Sequence, residues 1–171
     1  QLDWQLTVAG IDKAWALLDP SPGALPWRDI RVGHIDTGCT RHPALGFADP
    51  LADASDFVRA DLGANLFQPP PPDDSRPGTR PPEEAGPFDN LTGPSGSHGT
   101  STMSVLAGFY DAPDDSEPTF HGAAPGAAVI PYRVTDTVLI DAVQRQVAEA
   151  IDDAVGKGCR VLSMGLGGIV P

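Results

Sequence analysis

Residues 30–38 read IRVGHIDTG, an apolar segment that runs into an acidic residue and a glycine turn. The alternation and the β-branched side chains of residues 30–35 predict a β-strand. Asp36-Thr37-Gly38 is a turn signal, so we expect the strand to end at Asp36. A carboxylate there can be held by backbone amides and still face a neighbouring side chain, or it can act only as an Asx turn that caps the strand.

The segments on either side of this strand alternate between helical and extended patterns. Apolar spacing predicts helices over residues 11–18, 99–109 and 141–157, and strands over residues 30–36, 128–134 and 160–164. Pro131 moves the strand at 128–134 toward a sheet edge or an irregular end. Strands joined by helical crossovers predict an α/β fold with a parallel sheet. Such sheets bind ligands beyond the carboxyl ends of their strands, where Asp36 and the GLGG run at 165–168 lie.

The composition limits the classes of function. With 171 residues, 40% hydrophobic and 20% charged, the chain can bury a core, and no apolar stretch approaches the roughly 18 residues that span a bilayer. The net charge of −12 repels phosphate backbones and anionic lipid headgroups, so we expect neither nucleic acid nor a membrane surface as a partner. Cys39 and Cys159 form no metal-ligand or redox spacing, and their disulfide state stays open.

Two segments lack the pattern of a helix or a strand. Residues 69–87 contain eight of the 19 prolines, so we predict a Pro-rich surface insertion there. The acidic segment at residues 111–118 predicts a second loop. Its carboxylates could hold a hard cation such as calcium, although a solvated loop is the expected state. These acidic residues are Asp111, Asp114, Asp115 and Glu117.

His98 stands at the start of the small-residue helix predicted over 99–109. Its imidazole can therefore project from a helix N-terminus into a cleft. The helix dipole there disfavours a cation, which lowers the proton affinity of the ring and suits a general base. The alternative is a surface histidine near an N-cap. Together, Asp36 and His98 would supply a carboxylate and a base from two elements of one sheet.

Four segments form an ordered set of short motifs: VGHIDTG at 32–38, SHGT at 97–100, HGAAPGA at 121–127 and SMGLGG at 163–168. This set resembles, in the same order, the motifs of the subtilisin-like serine proteases (subtilases, the peptidase S8 type). The segment VGHIDTG at 32–38 resembles their aspartate motif, and SHGT at 97–100 resembles their histidine motif. The segment HGAAPGA at 121–127 resembles the Gly-x-Ala-Pro-x-Ala segment before the family's next strand. The segment SMGLGG at 163–168 resembles the Ser-Leu-Gly-Gly substrate-binding edge. The chain as a whole thus looks like the N-terminal half of a subtilase catalytic domain.

The resemblance implies a three-layer, doubly wound, mostly parallel α/β sheet and an Asp-His-Ser triad. In that triad Asp36 orients and stabilises the imidazole of His98, which takes the proton from a serine hydroxyl and then delivers it to the leaving amine. The same resemblance implies a polypeptide substrate that docks as an added strand on main-chain groups of Gly165, Leu166, Gly167 and Gly168. It also implies a serine endopeptidase that is secreted or periplasmic and requires no cofactor.

The nucleophile of this triad is absent from the motifs. After Gly168 the chain has no Gly-Thr-Ser-x-Ala motif, which carries the family's serine, and the oxyanion-hole asparagine is missing for the same reason. Ser97, Ser101 and Ser104 occupy other positions. We therefore expect residues 1–171 to be the N-terminal part of the catalytic domain, truncated before the strand and helix that carry the serine. That part would be inactive alone and partnered by the C-terminal half; the alternative is a catalytically degenerate subtilase that acts as a peptide-binding module.

Two positions depart from the family's pattern, and a cysteine lies directly after one of its motifs. Gly165 stands where the family usually has serine, which keeps the peptide-binding backbone but removes a side chain. Ala44 stands where the family often has an aspartate that binds calcium, so we do not expect calcium at that position. Cys39 directly follows the aspartate motif, and we expect a small buried hydrophobe there and not a reactive thiol.

Two other sites fit the residues less well. A metal cluster of His34, Asp36, His42 and His121 has no Glu-x-x-His motif or cysteine pair to support it. An aspartic protease half-domain built on residues 35–38 would need an all-β chain, and the predicted helix at 141–157 argues against one.

Overall fold

The fold is arranged around the strand that ends at Asp36. A computed structural model describes residues 4–18, 25–67, 86–89, 91, 94–110, 120–141 and 143–168. The helices are α1 (Trp4–Val8), α2 (Ile11–Leu18), α3 (His98–Ala107) and α4 (Gln144–Gly156), and a short 3-10 helix covers Pro43–Leu45. The strands are β1 (Arg31–Asp36), β2 (Ala64–Asn65), β3 (Phe109–Tyr110), β4 (Phe120–His121), β5 (Ala128–Arg133) and β6 (Val161–Met164).

β1 lies inside a four-stranded sheet of order β2-β5-β1-β6. Each pair of neighbouring strands in this sheet is parallel, and Asp36 is level with Arg133 at the carboxyl end of β5. β3 and β4 form a separate antiparallel pair. The predicted α/β fold with a parallel sheet is therefore confirmed.

Helices cover the two faces of this sheet. Val32 packs in one core cluster with Met103 and Ala107 of α3. Ile35 packs in a second cluster, on the other face, with Ala150 of α4. Because side chains alternate along a strand, residues 32, 34 and 36 all face α3. This alternation places Asp36 on the same side of the sheet as His98.

Of the two positions predicted from Pro131, the sheet edge is wrong, because β5 lies between β2 and β1. Toward β2, the Val129 amide donates to the Phe57 carbonyl at 3.0 Å and the Leu66 amide donates to the Arg133 carbonyl at 2.8 Å. Pro131 lies between these two contacts. The neighbouring segment before β2 forms no strand pairing with β5 at this position. The missing N–H of Pro131 therefore costs the sheet no hydrogen bond.

The element bounds also differ from the predicted ones. α1 was not predicted, and α3 ends at Ala107 because the next residues pair with β4. Residues 69–85 of the predicted Pro-rich insertion and the acidic segment at 111–118 lie outside the described residues.

β6 forms one edge of the sheet. Its apolar side chains are substantially exposed, at 46% for Val161, 40% for Leu162 and 45% for Met164. Apolar side chains of a strand normally pack against another layer. Among the described residues, this part of the sheet is left uncovered.

Gly33 provides a test of how closely α4 packs on the sheet. A Cβ atom at Gly33 would lie 2.9 Å from both Ala154 Cβ and Leu162 Cδ2. We expect Gly33→Ala to lower the free energy of unfolding by about 1–3 kcal/mol because the neighbours must move. Urea unfolding would measure this change.

Gly156→Ala is the matched control. A Cβ atom there meets no atom within 4 Å, and alanine favours a helix over glycine by up to about 1 kcal/mol. Equal unfolding midpoints for the Gly33→Ala variant and the original protein would contradict the packing described for β1 and α4.

Candidate active site

Asp36 places a fully buried carboxylate at the carboxyl end of β1, with 0% of its surface exposed. Its Oδ1 accepts a hydrogen bond from the Thr37 amide at 2.7 Å. The same oxygen lies 2.7 Å from Nδ1 of His98, and Oδ2 accepts a bond from Thr102 Oγ1 at 3.1 Å. The carboxylate therefore caps its own turn and also contacts a neighbouring side chain.

His98 is the first residue of α3, and its side chain is 29% exposed. An ionised carboxylate can only accept hydrogen bonds, so the proton on this imidazole lies on Nδ1, which donates to Asp36. Nε2 is then left with a lone pair. Among the residues the structure describes, no hydroxyl is hydrogen-bonded to Nε2 of His98. The pair thus presents a basic Nε2 on a ring that a buried carboxylate orients through Nδ1.

Thr37 and Asp89 hold the start of α3 against the turn after β1. The Gly99 amide donates to Thr37 Oγ1 at 3.0 Å, and Thr37 Oγ1 donates to Asp89 Oδ2 at 3.4 Å. Asp89 Oδ2 also accepts from the Ser97 amide at 2.7 Å. Ser97 has a positive φ of 68°, which turns the chain into α3. These bonds fix the backbone on both sides of His98.

Gly99 cannot carry a side chain in this arrangement. A Cβ atom there would lie 2.0 Å from the carbonyl oxygen of Gly38 and 3.2 Å from Asp36 Cβ. The second position of the His-Gly-Thr motif must therefore be glycine, because the α3 backbone there packs directly against the turn after β1.

Sequence reasoning did not identify Thr37, Asp89 or Thr102 as parts of the site. For Thr102 a signal was present in the sequence, because it lies four residues after His98 and so on the same face of the helix. Thr37 and Asp89 are 52 positions apart. Their contact follows from the fold, and no spacing rule would have indicated it.

His34 lies beside this pair, on the α3 side of β1, and is 1% exposed. Its Nε2 is 3.1 Å from Thr102 Oγ1. Burial lowers the pKa of His34 from 6.5 to about 4, while nearby Asp36 opposes this change and His98 adds to it. His34 is therefore a neutral imidazole at neutral pH.

The histidines considered as a metal cluster lie in separate parts of the fold. His42 caps the 3-10 helix by accepting a hydrogen bond from the Ala44 amide at 3.1 Å. His121 stacks on Phe109, with ring centroids 5.2 Å apart. Only His34 and Asp36 lie near each other and near His98.

The GLGG run at 165–168 follows β6 and reaches the Asp36–His98 pair at its first residue. A Cβ atom at Gly165 would lie 3.2 Å from Asp36 Oδ2 and 3.3 Å from His98 Cε1. Gly167 already has backbone partners: its amide donates to the Val138 carbonyl at 2.9 Å, and its carbonyl accepts from the Ile140 amide at 3.0 Å. A side chain at position 165 would therefore crowd the pair, which sequence reasoning did not anticipate.

Both cysteines are free and buried. Cys39 packs in the cluster on the α3 side of the sheet and Cys159 in the cluster on the α4 side. Burial raises the pKa of Cys39 to about 12, so its thiolate is scarce at neutral pH. Cys39 is thus the small buried hydrophobe that the sequence predicted.

The neutral state of His34 makes stability depend on pH. In the unfolded chain His34 has its ordinary pKa of 6.5, and in the folded protein the value is about 4. Between these values the unfolded state binds more protons, so stability falls as the pH falls from 6.5 toward 4. The loss attributable to His34 is about 3 kcal/mol.

Urea unfolding at a series of pH values would measure this loss. His34→Gln keeps a donor near Thr102 but does not titrate, so the comparison of the two proteins reports the titration of His34. We expect the difference in stability between the two proteins to change through this pH range. A constant difference from pH 7 to pH 4 would show that His34 does not stay neutral on folding.

Comparison with known proteins agrees with the motifs and the geometry. The family model for subtilases, peptidase S8, matches residues 28–169, which include Asp36, His98 and the run at 165–168. No curated protein matches the chain. Because the family match covers most of the sequence, the chain belongs to the subtilase family of serine proteases.

Proposed function

We propose that the protein is a subtilisin-like serine endopeptidase in which Asp36 and His98 are two members of an Asp-His-Ser triad. The observation that carries this proposal is the 2.7 Å bond from His98 Nδ1 to the buried Asp36 carboxylate. That bond leaves a lone pair on Nε2 of a side chain that is 29% exposed. Membership of the subtilase family supports serine-protease chemistry at the family level.

In the proposed reaction, Nε2 of His98 takes the proton of a serine hydroxyl as its oxygen attacks the peptide carbonyl carbon. Asp36 keeps the proton of the neutral ring on Nδ1 and stabilises the imidazolium that forms. The imidazolium then gives its proton to the leaving amine, which departs as the carbon–nitrogen bond breaks and leaves an acyl-enzyme. Water, deprotonated by His98 in turn, hydrolyses this ester.

The serine is proposed to lie outside residues 1–171, because the sequence after Gly168 contains no Gly-Thr-Ser-x-Ala motif. These residues alone would then be inactive, since they lack both the nucleophile and the oxyanion donors that supply the largest catalytic term. The C-terminal half of the catalytic domain is the proposed partner that provides both.

The proposed substrate is an extended polypeptide that adds a strand at residues 165–168. The backbone of Gly167 is hydrogen-bonded to the backbones of Val138 and Ile140. A bound peptide would therefore either pair with the main chain on either side of Gly167 or displace these two hydrogen bonds. A secreted or periplasmic location is proposed on the family's frequent extracellular role. In the described ranges, no helix has the length and hydropathy needed to cross a membrane.

Labelling of the full-length protein with a fluorophosphonate, together with peptide hydrolysis, tests this function. We expect labelling of the original protein and a loss of about 10⁴-fold in kcat for Asp36→Asn, because asparagine stabilises the wrong tautomer of His98. His98→Ala should lose at least as much. His42→Ala is the matched control and should retain activity, since it also removes an imidazole but the described side-chain bond of His42 is the cap of a surface turn.

Two results would contradict the proposal. Hydrolysis that survives His98→Ala would remove the histidine from the mechanism. Absence of labelling in a folded full-length protein that still binds peptides would favour the peptide-binding module.

A further inference from the structure

A buried hydrogen-bond chain continues from Asp36 away from His98. Asp36 Oδ2 lies 3.1 Å from Thr102 Oγ1, which in turn lies 3.1 Å from Nε2 of His34. His34 and Asp36 are both almost completely inaccessible to solvent. We propose that Thr102 and His34 are positioning residues, which hold the Asp36 carboxylate in the plane and direction that His98 requires. This inference rests on the proposed function of the Asp36–His98 pair.

The direction of the chain follows from the number of protons available. Thr102 has one hydroxyl hydrogen, and three oxygen acceptors lie within reach: Asp36 Oδ2 at 3.1 Å, the His98 carbonyl at 3.1 Å and the Gly99 carbonyl at 3.3 Å. A bond to an ionised carboxylate is roughly twice as strong as one to a neutral carbonyl. The hydroxyl therefore donates to Asp36, and its lone pairs remain open to a donor.

That donor is Nε2 of His34. Because the hydroxyl hydrogen of Thr102 is already directed at Asp36, the 3.1 Å contact between Nε2 and Oγ1 can be a hydrogen bond only if Nε2 carries hydrogen. A neutral His34 then has no hydrogen on Nδ1. The Nδ1 atom is buried and has no hydrogen-bond partner in the described part of the chain, so placing a hydrogen there would create a buried donor without an acceptor.

Burial also keeps His34 from taking a second proton. The groups that face its ring are Asp36, which favours the cation, and His98, which disfavours it. A cation would require a hydrogen on Nδ1, where no acceptor lies. The chain is thus His34 Nε2–H to Thr102, and Thr102 O–H to Asp36 Oδ2.

His34 matters because it restricts the rotation of the Thr102 hydroxyl. Without a donor at its lone pairs, a helical threonine can turn its hydrogen to the carbonyl four residues earlier, which here is that of His98. Asp36 Oδ2 would then be buried without a donor. With His34 in place, the carboxylate accepts on both oxygens, and Oδ1 stays directed at His98 Nδ1.

Four variants separate this role from simple packing. Thr102→Val keeps the shape but removes the hydroxyl, and Thr102→Ser keeps the hydroxyl. His34→Gln keeps a donor near the position of Nε2, and His34→Met fills similar space without one. Tyr132→Phe is the matched control, because it also removes a single hydroxyl bonded to another side chain, Asp153, on the α4 side of the sheet.

Peptide hydrolysis by the full-length protein gives the first readout. We expect Thr102→Val to lower kcat roughly 10- to 100-fold. KM should stay unchanged, since neither Thr102 nor His34 is proposed to touch the substrate. Thr102→Ser should recover most of this loss, and His34→Gln should retain more activity than His34→Met. Tyr132→Phe should not lower kcat. A kcat for Thr102→Val equal to that of the original protein would overturn the proposal.

Nitrogen-15 NMR of the histidine rings gives a second readout that does not depend on proteolysis. In the original protein we expect His34 to be neutral with its hydrogen on Nε2. We also expect the low-field signal of His98 Nδ1–H to shift in Thr102→Val and to return toward its original position in Thr102→Ser. A hydrogen on Nδ1 of neutral His34, or a His98 signal that Thr102→Val does not move, would overturn the proposal.

The two readouts distinguish failure of this inference from failure of the proposed function. If Asp36→Asn abolishes hydrolysis while Thr102→Val does not change it, the protease function stands and the positioning role is wrong. If the protein hydrolyses no peptide but the NMR signals behave as expected, the hydrogen-bond chain stands and the endopeptidase function is wrong. The tautomer of His34 is measured on the unmodified protein, so the test holds even if a variant does not fold.

Discussion

The first turn of α3 lies directly against the turn that follows β1, and the arrangement of the site depends on this contact between two backbones. It is possible because Gly99 has no side chain, since a Cβ atom there would lie 2.0 Å from the Gly38 carbonyl oxygen. The Gly99 amide, at the N-terminus of the helix, donates to the Thr37 hydroxyl. With the helix start fixed in this way, His98 can reach only a small volume, and Asp36 lies within it.

A buried carboxylate is stable only where hydrogen bonds replace the water it has lost. Asp36 receives a backbone amide, an imidazole and a hydroxyl, one from its own turn and two from α3. The same low-polarity surroundings keep His34 neutral, so that ring adds no buried positive charge beside Asp36. This arrangement suits a base that accepts a proton on Nε2, because the positive charge that then forms on His98 lies against the fixed carboxylate of Asp36.

Much of the fold was predictable because its elements have strong local patterns. β1 and α4 follow apolar periodicity, and the parallel sheet follows from their alternation. The strand of Pro131 was predicted at an edge because proline has no N–H to donate. Whether that missing donor matters depends on the neighbouring chain at 57–66, which offers no strand partner at this point, and β5 itself carries no sign of this. α1 was missed because five residues give too few turns for a periodic signal.

The sequence was sufficient to predict that Asp36 and His98 lie together, since each occurs in a short motif with glycines and small residues, and since the motifs stand in the order of a known family. The helical spacing from His98 places Thr102 on the same face of α3, but the sequence did not indicate its bond to Asp36, the contacts of Asp89 or the neutral state of His34. These depend on contacts between positions 52 to 68 residues apart, where the strand, the loop and the helix meet. Whether a buried imidazole binds a metal, carries a charge or holds a hydroxyl is set by the atoms around it, and only the folded chain brings those atoms together.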